Sequence, residues 1–393
     1  MYNMFNNLLK KLKKNRNKKS KTLAKIEYGI DKPFLIITFI LIASGLVIFS
    51  SAIIMLIGTA RYDTVRFSQY GIGLCGGLLL MFICYKIPIT FWRKNAFYIY
   101  AASVIAMIMV FIPGIGVAHG GARRWVQLFG IGFQPAELYK IGAILYMSLW
   151  FMRDFGKKLD NHKNFFSRTM PMLIILGISA ILFLLQPDTD ILGVICLSIV
   201  IMYLLAGGNM KDMVILGLIG MIALAGIIFT RPYVMRRVQI FLDPSLDPTG
   251  SGYQFQQSLI AIGSGGIAGR GYGQSIQKFK YLPEPIGDSI FAVSSEDFGF
   301  IGSTFLIGLY IVFLMRGFKL AKKSSSYGSL VIVGLLCLIV IQSFVNMSAM
   351  LGMLPLSGTP LIFVSQGGTS LLISLMSIGI ILSASKEKKV RVE

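Results

Sequence analysis

The chain has 393 residues, of which 55% are hydrophobic and only 14% are charged, and its mean hydropathy is +0.71. This composition is far too apolar for a soluble domain of this length, so it excludes the soluble enzyme classes. The formal net charge is +21, because 38 Lys and Arg residues outnumber 17 Asp and Glu residues. The composition indicates a basic, polytopic membrane protein.

Apolar runs of about 17 to 25 residues, long enough to cross a hydrocarbon core of roughly 30 Å, recur along the chain. These runs are expected to be helical, because backbone groups find no water to bond to inside a bilayer. The sequence therefore predicts an all-α integral membrane protein with about ten transmembrane helices. They lie at roughly 34–58, 68–87, 96–113, 136–152, 171–186, 190–206, 213–230, 289–315, 328–349 and 367–385.

The basic residues predict the orientation. If the N-terminus is cytoplasmic, the cytoplasmic segments hold most of the 38 Lys and Arg residues, as the positive-inside rule expects. Residues 1–33 then form a basic cytoplasmic arm, 34–385 the ten-helix membrane domain and 386–393 a cytoplasmic tail, with 231–288 as a large extracytoplasmic loop between helices 7 and 8. The arm lies directly before a membrane span, so its charge indicates attraction to anionic lipid and not a nucleic-acid partner.

Four carboxylates stand out where the long loop runs into the eighth span. Glu284, Asp288, Glu296 and Asp297 all lie within the stretch YLPEPIGDSIFAVSSEDFGFIG. A charge beside hydrocarbon is costly unless it is paired or faces water, so this stretch predicts a cavity or a reaction site. Glu296 and Asp297 lie roughly 12 to 14 Å further along a helix than Asp288, and we expect them to have a structural, hydrogen-bonded role.

Cationic residues occur in the external loops that precede this stretch. Arg123 and Arg124 follow the third span, and guanidinium groups suit phosphate recognition. Glu137 and Lys140 share a helix face at the top of the fourth span, where they form either a self-neutralising pair or the charged wall of a cavity. The long loop supplies a second expected cationic lining, made of Arg231, Arg236, Arg237, Arg270, Lys278 and Lys280.

A further pair of carboxylates, Asp188 and Asp190, lies at the very short turn between the fifth and sixth spans. Asp188 also suits the N-cap of the helix that follows. The sequence leaves open whether this turn belongs to a site.

Five motifs follow one another along the chain: GARRW (121–125), QPAELYK (134–140), YQFQQSLIAIGSGG (253–266), QKFKYLPEPIGDSIFAVSSEDFGFIG (277–302) and PLSGTPLIFVSQGGTS (355–370). In this order they resemble the SEDS family, the FtsW and RodA proteins that polymerise the peptidoglycan precursor lipid II. The third and fourth motifs are more similar to FtsW, the division branch. The chain departs from the family at two places: Ile286-Gly287 stands where His-Thr is frequent, and Gln366 stands where an aromatic residue is usual.

The resemblance implies a membrane glycosyltransferase of the division septum that polymerises lipid II with Asp288 as the general base. It implies a bacterial cytoplasmic membrane location and, as partners, lipid II, a class B penicillin-binding protein transpeptidase and other divisome membrane proteins. No cofactor is called for by a ligand motif, and a divalent cation bridging the pyrophosphate stays open. The substrate-binding residues that we expect are Arg123, Arg124, Glu137, Lys140, Arg237, Lys280, Glu284 and Ser365.

Three alternative functions remain. A transporter of lipid II (a flippase) predicts an internal repeat with broken helices in matching positions, and none is evident in the sequence. A non-catalytic division scaffold predicts that Asp288 is dispensable. With a RodA-like role, the protein would catalyse the same polymerisation during cell elongation and not at division.

Overall fold

The computed structural model describes residues 31–119, 122–128, 131–152 and 165–387. Residues 1–30 of the basic arm and the tail from residue 388 lie outside the described residues. A π-helical stretch (Phe67–Gly76) joins the helices Arg61–Arg66 and Gly77–Lys86, and short 3-10 turns lie at Ile53–Leu56, Pro244–Leu246 and Gln277–Phe279. The helices, in chain order, are α1 (Lys32–Ala52), α2 (Arg61–Arg66), α3 (Gly77–Lys86), α4 (Ile89–Met109), α5 (Pro135–Met152), α6 (Phe165–Leu185), α7 (Thr189–Leu205), α8 (Met210–Thr230), α9 (Pro232–Leu242), α10 (Ser251–Ser264), α11 (Ile290–Lys323), α12 (Ser326–Met350) and α13 (Gly368–Lys386).

The helices account for every segment that the sequence marks as apolar. Each of the ten predicted runs contains a helix, and α11 continues eight residues beyond its predicted end. Among the described residues, six helical segments are long and apolar enough to cross a membrane by length and composition: Lys32–Leu56, Arg61–Lys86, Lys211–Thr230, Ile290–Lys323, Ser326–Met350 and Gly368–Lys386.

A small sheet between α4 and α5 departs from the all-α prediction. Its antiparallel strands, in spatial order, are β1 (Gly116–His119), β2 (Ala122–Leu128) and β3 (Ile131–Phe133). Val117 pairs with Trp125 and Val126 with Phe133. The external loop that the sequence predicts after the third span therefore contains a sheet, because aromatic and β-branched residues alternate between its glycines and favour strands.

Helix α12 occupies the centre of the bundle, where it packs against α5, α7, α11 and α13. The loops at one end of the bundle form what we call the loop face: the described residues of 116–133, 186–188, 231–289 and 351–367. α8 differs from its neighbours because its apolar side chains stay exposed, with Ile222 at 74% and Phe229 at 80%. A helix that is apolar on all sides and unburied by protein suits contact with lipid.

Helix α11 is interrupted at Gly299, which has φ +65°. Beyond the break, the Phe300 N–H donates to the Gly266 carbonyl at 2.9 Å and the Ile301 N–H donates to the Ile267 carbonyl at 3.1 Å. The segment after α10 therefore satisfies the backbone donors that a helix start leaves free. These hydrogen bonds tie the long loop to α11 directly after the break.

Glycines let α3 and α13 pack at backbone distance. A Cβ atom at Gly379 would lie 2.4 Å from the Met81 carbonyl oxygen and 2.9 Å from Cys84 Cβ. In lipid, where helices gain little from excluding water, close approach of small residues provides much of the association.

We expect Gly379→Ala to lower the melting temperature of the purified protein, since overpacking costs about 1 to 3 kcal/mol. Gly220→Ala on α8 is the matched control, because a Cβ there has open space and alanine stabilises a helix interior by about 0.5 to 1 kcal/mol. Equal melting temperatures for the two variants would contradict the close packing.

Candidate active site

Asp288 lies at the loop face, two residues before α11, and its main chain is fixed from two sides. The Asn346 side-chain amide donates to the Asp288 carbonyl at 2.8 Å. On the other side, the Ser365 hydroxyl donates to the Gly287 carbonyl at 2.8 Å, and the Gln366 N–H donates to the Ile286 carbonyl at 2.7 Å. Hydrogen bonds from α12 and from the segment before α13 thus hold the backbone that carries Asp288.

Residues 281–289, the Asp288 loop, turn sharply at Glu284. This residue has φ +46°, a left-handed conformation that is uncommon outside glycine. Its carbonyl accepts hydrogen bonds from the N–H groups of Gly287 and Ser289, at 3.0 and 3.1 Å. The turn brings the Glu284 side chain near enough to act electrostatically on Asp288.

The Asp288 carboxyl group is poised to accept a proton near neutral pH. Burial raises its pKa to about 7, and the negative charges of Glu284 and Asp190 raise it further, while Arg237 and Arg124 oppose the shift. Among the described residues, no side chain or N–H group makes a hydrogen bond or ion pair with this carboxylate. A base whose pKa is near the working pH, with free oxygen atoms, has the properties that general-base catalysis needs.

Asp190 and Arg237, which both act electrostatically on the Asp288 carboxyl group, form an ion pair with each other. Arg237 Nη1 on α9 lies 2.7 Å from Asp190 Oδ2 in the first turn of α7. The Gly358 N–H donates to the same Asp190 oxygen at 3.3 Å, and a Cβ atom at Gly358 would lie 3.5 Å from Asp288 Oδ2. The Gly358 backbone therefore joins the ion pair to the general-base candidate.

Arg124 reaches the same region from the sheet. Its Nε donates to the Gln186 carbonyl at 3.1 Å, its Nη2 donates to the Pro187 carbonyl, and its Nε lies 3.9 Å from Asp188 Oδ2. Burial raises the pKa of Asp188 to about 6, against the pull of Arg124. Asp188 is at the N-cap position of α7, but its side chain makes no capping hydrogen bond to the helix and lies beside Arg124 instead.

The Arg123 and Arg124 side chains do not point to the same region of the molecule. Neighbouring residues of a strand point to opposite faces, and Arg123 is exposed while Arg124 is partly buried. The sequence places the two arginines together, whereas the sheet separates their side chains. Arg124 faces the Asp288 region and Arg123 stays available to solvent.

Glu137 and Lys140 are almost fully enclosed, at 2% and 5% exposure. Lys140 Nζ donates to Glu137 Oε1 at 2.9 Å and to Gln342 Oε1 at 2.7 Å. The adjoining cavity of 20 Å³ between α5, α12 and α13 has room for about one water molecule. These are the contacts of a self-neutralising pair, the first of the two interpretations that the sequence allows, and the enclosure leaves no space for a sugar or a pyrophosphate.

The remaining residues that we expect to bind substrate differ in whether their side chains can contact it. Lys280, with φ +130°, and Glu284 are exposed at the loop face and can contact a ligand. Ser365 is 6% exposed, and its hydroxyl already donates to Gly287 and accepts from the Leu361 N–H at 2.8 Å. Its contacts position the Asp288 loop and leave its oxygen little capacity for substrate.

The expected second cationic lining is divided. Lys278 is fully buried, with its Nζ 3.1 Å from the Ser51 carbonyl and 3.8 Å from Asp297 Oδ2, so its place in the lining is a wrong prediction. Arg270 pairs with Glu296 at 3.2 Å and Arg236 with Asp247 at 3.8 Å, which leaves Arg237 as the arginine beside Asp190. No pattern in the sequence predicts that Arg236, Arg270 and Lys278 pair with carboxylates of the chain itself.

Glu296 and Asp297 hold the loop that precedes Asp288. The Ser275 N–H donates to Asp297 Oδ1 and the Ser275 hydroxyl donates to Glu296 Oε2, both at 2.6 Å. The Ile276 N–H donates to Glu296 Oε1 at 3.1 Å, and the Ser51 hydroxyl donates to Asp297. These contacts are structural, as the sequence leads us to expect.

Three residues at or near the site escaped the sequence reasoning: Gln342, Asn346 and Gln69. Gln342 and Asn346 had a usable signal, because two polar residues four apart inside an apolar helix share one face and are costly unless they have partners. Gln69, fully buried in the π-helical stretch, donates to the Ser365 carbonyl at 3.2 Å and accepts from the Gly367 N–H at 3.0 Å. Nothing in the chain order pairs Asp190 with Arg237.

The comparisons with known proteins agree with this architecture. The family model described as "Cell cycle protein", for FtsW, RodA and SpoVE, matches residues 32–390. Stage V sporulation protein E of Bacillus subtilis (strain 168) is 34% identical over 358 residues, 91% of this chain and 97% of that protein. A protein of Geobacter sp. (strain M18) named "Probable peptidoglycan glycosyltransferase FtsW" is 37% identical over 366 residues, with 91% and 97% covered. The chain belongs to the FtsW/RodA/SpoVE family.

Solved structures share the fold. One described as "Structural coordination of polymerization and crosslinking by a peptidoglycan synthase complex" matches with a TM-score of 0.73 and 26% identity, over 92% of this chain and 99% of that one. Rod shape determining protein RodA of Thermus thermophilus matches with a TM-score of 0.66 and 25% identity, over 94% and 99%. The helical bundle is thus that of the family along nearly its whole length.

We expect Lys140→Ala to lower the melting temperature sharply, because it leaves Glu137 as an uncompensated buried charge, at a cost of about 3 to 5 kcal/mol. The double variant Glu137→Gln/Lys140→Met removes both charges and is the matched control, with a smaller loss. A Lys140→Ala protein with unchanged melting temperature and weakened substrate binding would show instead that Lys140 is a ligand.

Proposed function

We propose that the protein is a peptidoglycan glycosyltransferase that polymerises lipid II into glycan strands, with Asp288 as the general base. The observation that carries this proposal is the Asp288 carboxyl group itself: partly buried, without a hydrogen-bonding partner among the described residues, with a pKa raised to about 7 and with Arg237 and Arg124 close by. Relatives named as glycosyltransferases over most of the chain support the same activity.

The chemistry requires one base and a source of positive charge. The acceptor hydroxyl oxygen of one lipid-linked disaccharide attacks the anomeric carbon of the other, and the bond from that carbon to the pyrophosphate oxygen breaks. Asp288 takes the hydroxyl proton, which makes the oxygen a better nucleophile. The departing pyrophosphate gains negative charge, and nearby guanidinium groups stabilise it without needing to donate a proton.

The cations fall into two groups in this proposal. Arg237 and Arg124 lie within electrostatic reach of Asp288 and would stabilise the leaving group. Arg123 and Lys280, both exposed at the loop face, would contact the pyrophosphate or sugar of bound lipid II. Glu284 keeps the pKa of Asp288 high, Ser365 holds the loop, and the buried Glu137 and Lys140 support the fold.

A divalent cation carried by the pyrophosphate is compatible with this arrangement, since such ions bind through substrate phosphates and one or two carboxylates. Among the described residues there is no group of three or more His, Cys, Asp or Glu side chains that would hold a metal ion by themselves. The proposal therefore assigns any such ion to the substrate and not to a resident site.

The topology that we propose has ten membrane crossings, both termini in the cytoplasm and the loop face outside a bacterial cytoplasmic membrane. Helices α4, α5, α6 and α7 would complete the ten, in addition to the six segments whose apolarity alone suffices. The positive-inside distribution of the basic residues supports this orientation. Residues 1–33 would be the cytoplasmic arm, 34–385 the membrane domain with 231–288 as its external loop, and 386–393 the tail.

A class B penicillin-binding protein is the partner that we propose, along with other divisome membrane proteins. The likeness to a chain from a structure described as a peptidoglycan synthase complex supports such an assembly. Septal division is the proposed setting, because several of the similar proteins are named FtsW. The similarity to Stage V sporulation protein E and to RodA keeps sporulation and elongation as alternative settings for the same chemistry.

The proposal is tested with liposomes that contain lipid II, the protein and its penicillin-binding partner with the transpeptidase blocked, with glycan polymer separated on a gel. We expect polymer from the wild type and a loss of at least about 100-fold in Asp288→Asn, which keeps the shape and removes the base. Asp243→Asn is the control, because Asp243 is an exposed carboxylate of the same long loop that bonds locally to Ser245.

Two results would overturn parts of this proposal. Equal polymer from the wild type and a folded Asp288→Asn variant would remove the general-base assignment. No polymer from the wild type, together with movement of labelled lipid II between leaflets, would favour the transporter, and no effect on either process would favour a scaffold.

A further inference from the structure

Asn346 lies in the last turns of α12 and is fully buried directly beneath the Asp288 loop. Its side-chain Nδ2 donates two hydrogen bonds, one to the Asp288 carbonyl and one to the Thr359 carbonyl, each 2.8 Å long. One amide group therefore joins two loop segments that are 71 residues apart in the chain.

The orientation of this amide is determined by its surroundings. Both neighbours are carbonyl oxygen atoms, which only accept hydrogen bonds, so the NH₂ group must face them. The opposite atom, Asn346 Oδ1, is buried and has no hydrogen-bond partner among the described residues. An unsatisfied buried acceptor destabilises the folded state, and an apolar residue of similar size would avoid that cost.

The second of the joined segments lies against the Asp288 carboxyl group. The second segment continues from Thr359 back to Gly358, whose Cα lies close enough that a Cβ would be 3.5 Å from Asp288 Oδ2. The Gly358 N–H also donates to Asp190, the partner of Arg237. The two hydrogen bonds of Asn346 therefore fix the relative positions of the Asp288 carboxyl group, the segment that contains Gly358, and the ion pair beside it.

We propose that Asn346 is a positioning residue for Asp288, which holds the Asp288 loop against residues 357–360 so that the carboxyl group stays shielded from water and aimed at the acceptor hydroxyl. This inference rests on the proposed role of Asp288 as the base. Asn346 itself is too deeply buried to touch substrate, and it acts through the Asp288 backbone.

A loss of these hydrogen bonds has a consequence for protonation that a purely structural role would lack. Without the amide, the two segments separate and water reaches the Asp288 carboxyl group. Desolvation is the largest cause of its raised pKa, so the pKa should fall toward the ordinary range of an aspartate. A fall in this pKa weakens the base, since a less basic carboxylate takes the proton less readily.

The experiment is an infrared titration of the purified protein in lipid, in which the C=O band of the Asp288 carboxyl is isolated by subtracting the spectrum of the same protein with Asp288→Asn. We expect Asn346→Ala to move the midpoint down by about one pH unit or more from its wild-type value near 7. We also expect it to lower kcat in the polymerisation assay by about 10- to 100-fold with little change in KM, as misplaced catalytic groups do.

Two further variants make the result interpretable. Ser343→Ala is the matched control: Ser343 is a fully buried polar residue of the same helix, one turn earlier, whose hydroxyl bonds to Ile339 of its own helix, and we expect an unchanged midpoint. Asn346→Ser keeps one donor and should give an intermediate shift, which preserves the test if Asn346→Ala does not fold.

A folded Asn346→Ala protein that melts at a lower temperature but keeps the wild-type midpoint would overturn the inference and leave Asn346 as a packing residue. The infrared readout needs no turnover. A wild-type protein without polymerase activity would therefore defeat the proposed function, whereas an unchanged midpoint would defeat only the positioning role.

Discussion

The free-energy cost of holding a carboxyl group partly out of water is the constraint on which the loop face depends. Asp288 has no partner among the described residues to offset that cost, so its position must be imposed by the backbone around it. Asn346, Ser365 and Gln366 supply that constraint through hydrogen bonds to three successive carbonyls of one loop. The site is therefore made by main-chain anchoring more than by side chains that touch the carboxylate.

The residues that hold the Asp288 loop are themselves held by the helical bundle. Gln69, from the π-helical stretch, bonds to both Ser365 and Gly367, so the α2–α3 region fixes the segment that fixes the Asp288 loop. A π-helical register is uncommon and is frequent near functional sites, where it redirects a side chain. Close packing of α3 on α13 at Gly379 keeps the α2–α3 region at a fixed distance from the segment that contains Ser365 and Gly367.

The charged residues fall into two groups with different roles. Buried pairs such as Glu137 with Lys140 and Asp297 with Lys278 satisfy one another and join elements. At the other end of the bundle, Asp31 and Arg316 join the start of α1 to α11 at 2.7 Å. Breaking such pairs costs stability. The groups around Asp288 are less completely neutralised, which suits chemistry on a charged substrate.

The choice of Asp288 as the base came from the family resemblance and stays a prediction, whereas the sequence was sufficient for the helices, since long apolar runs are local signals. It was insufficient for the sheet, because short strands among glycines carry a weak pattern. It also misplaced Lys278, because charge alone does not tell a solvent-facing lysine from one buried against Asp297. The Asp190–Arg237 pair joins residues 47 positions apart, and only the folded structure, which brings Arg237 of α9 to the first turn of α7, reveals it.

The most direct test of the account is the rate of lipid II polymerisation by the wild-type complex as a function of pH, from 5 to 9, at saturating substrate. Asp288 must be ionised to accept the proton, and its pKa is raised to about 7. The rate should therefore rise about tenfold per pH unit below that value and level off above it. A flat profile down to pH 5 would contradict the account, because it would mean a carboxylate with an ordinary pKa, near 4, or a base other than Asp288.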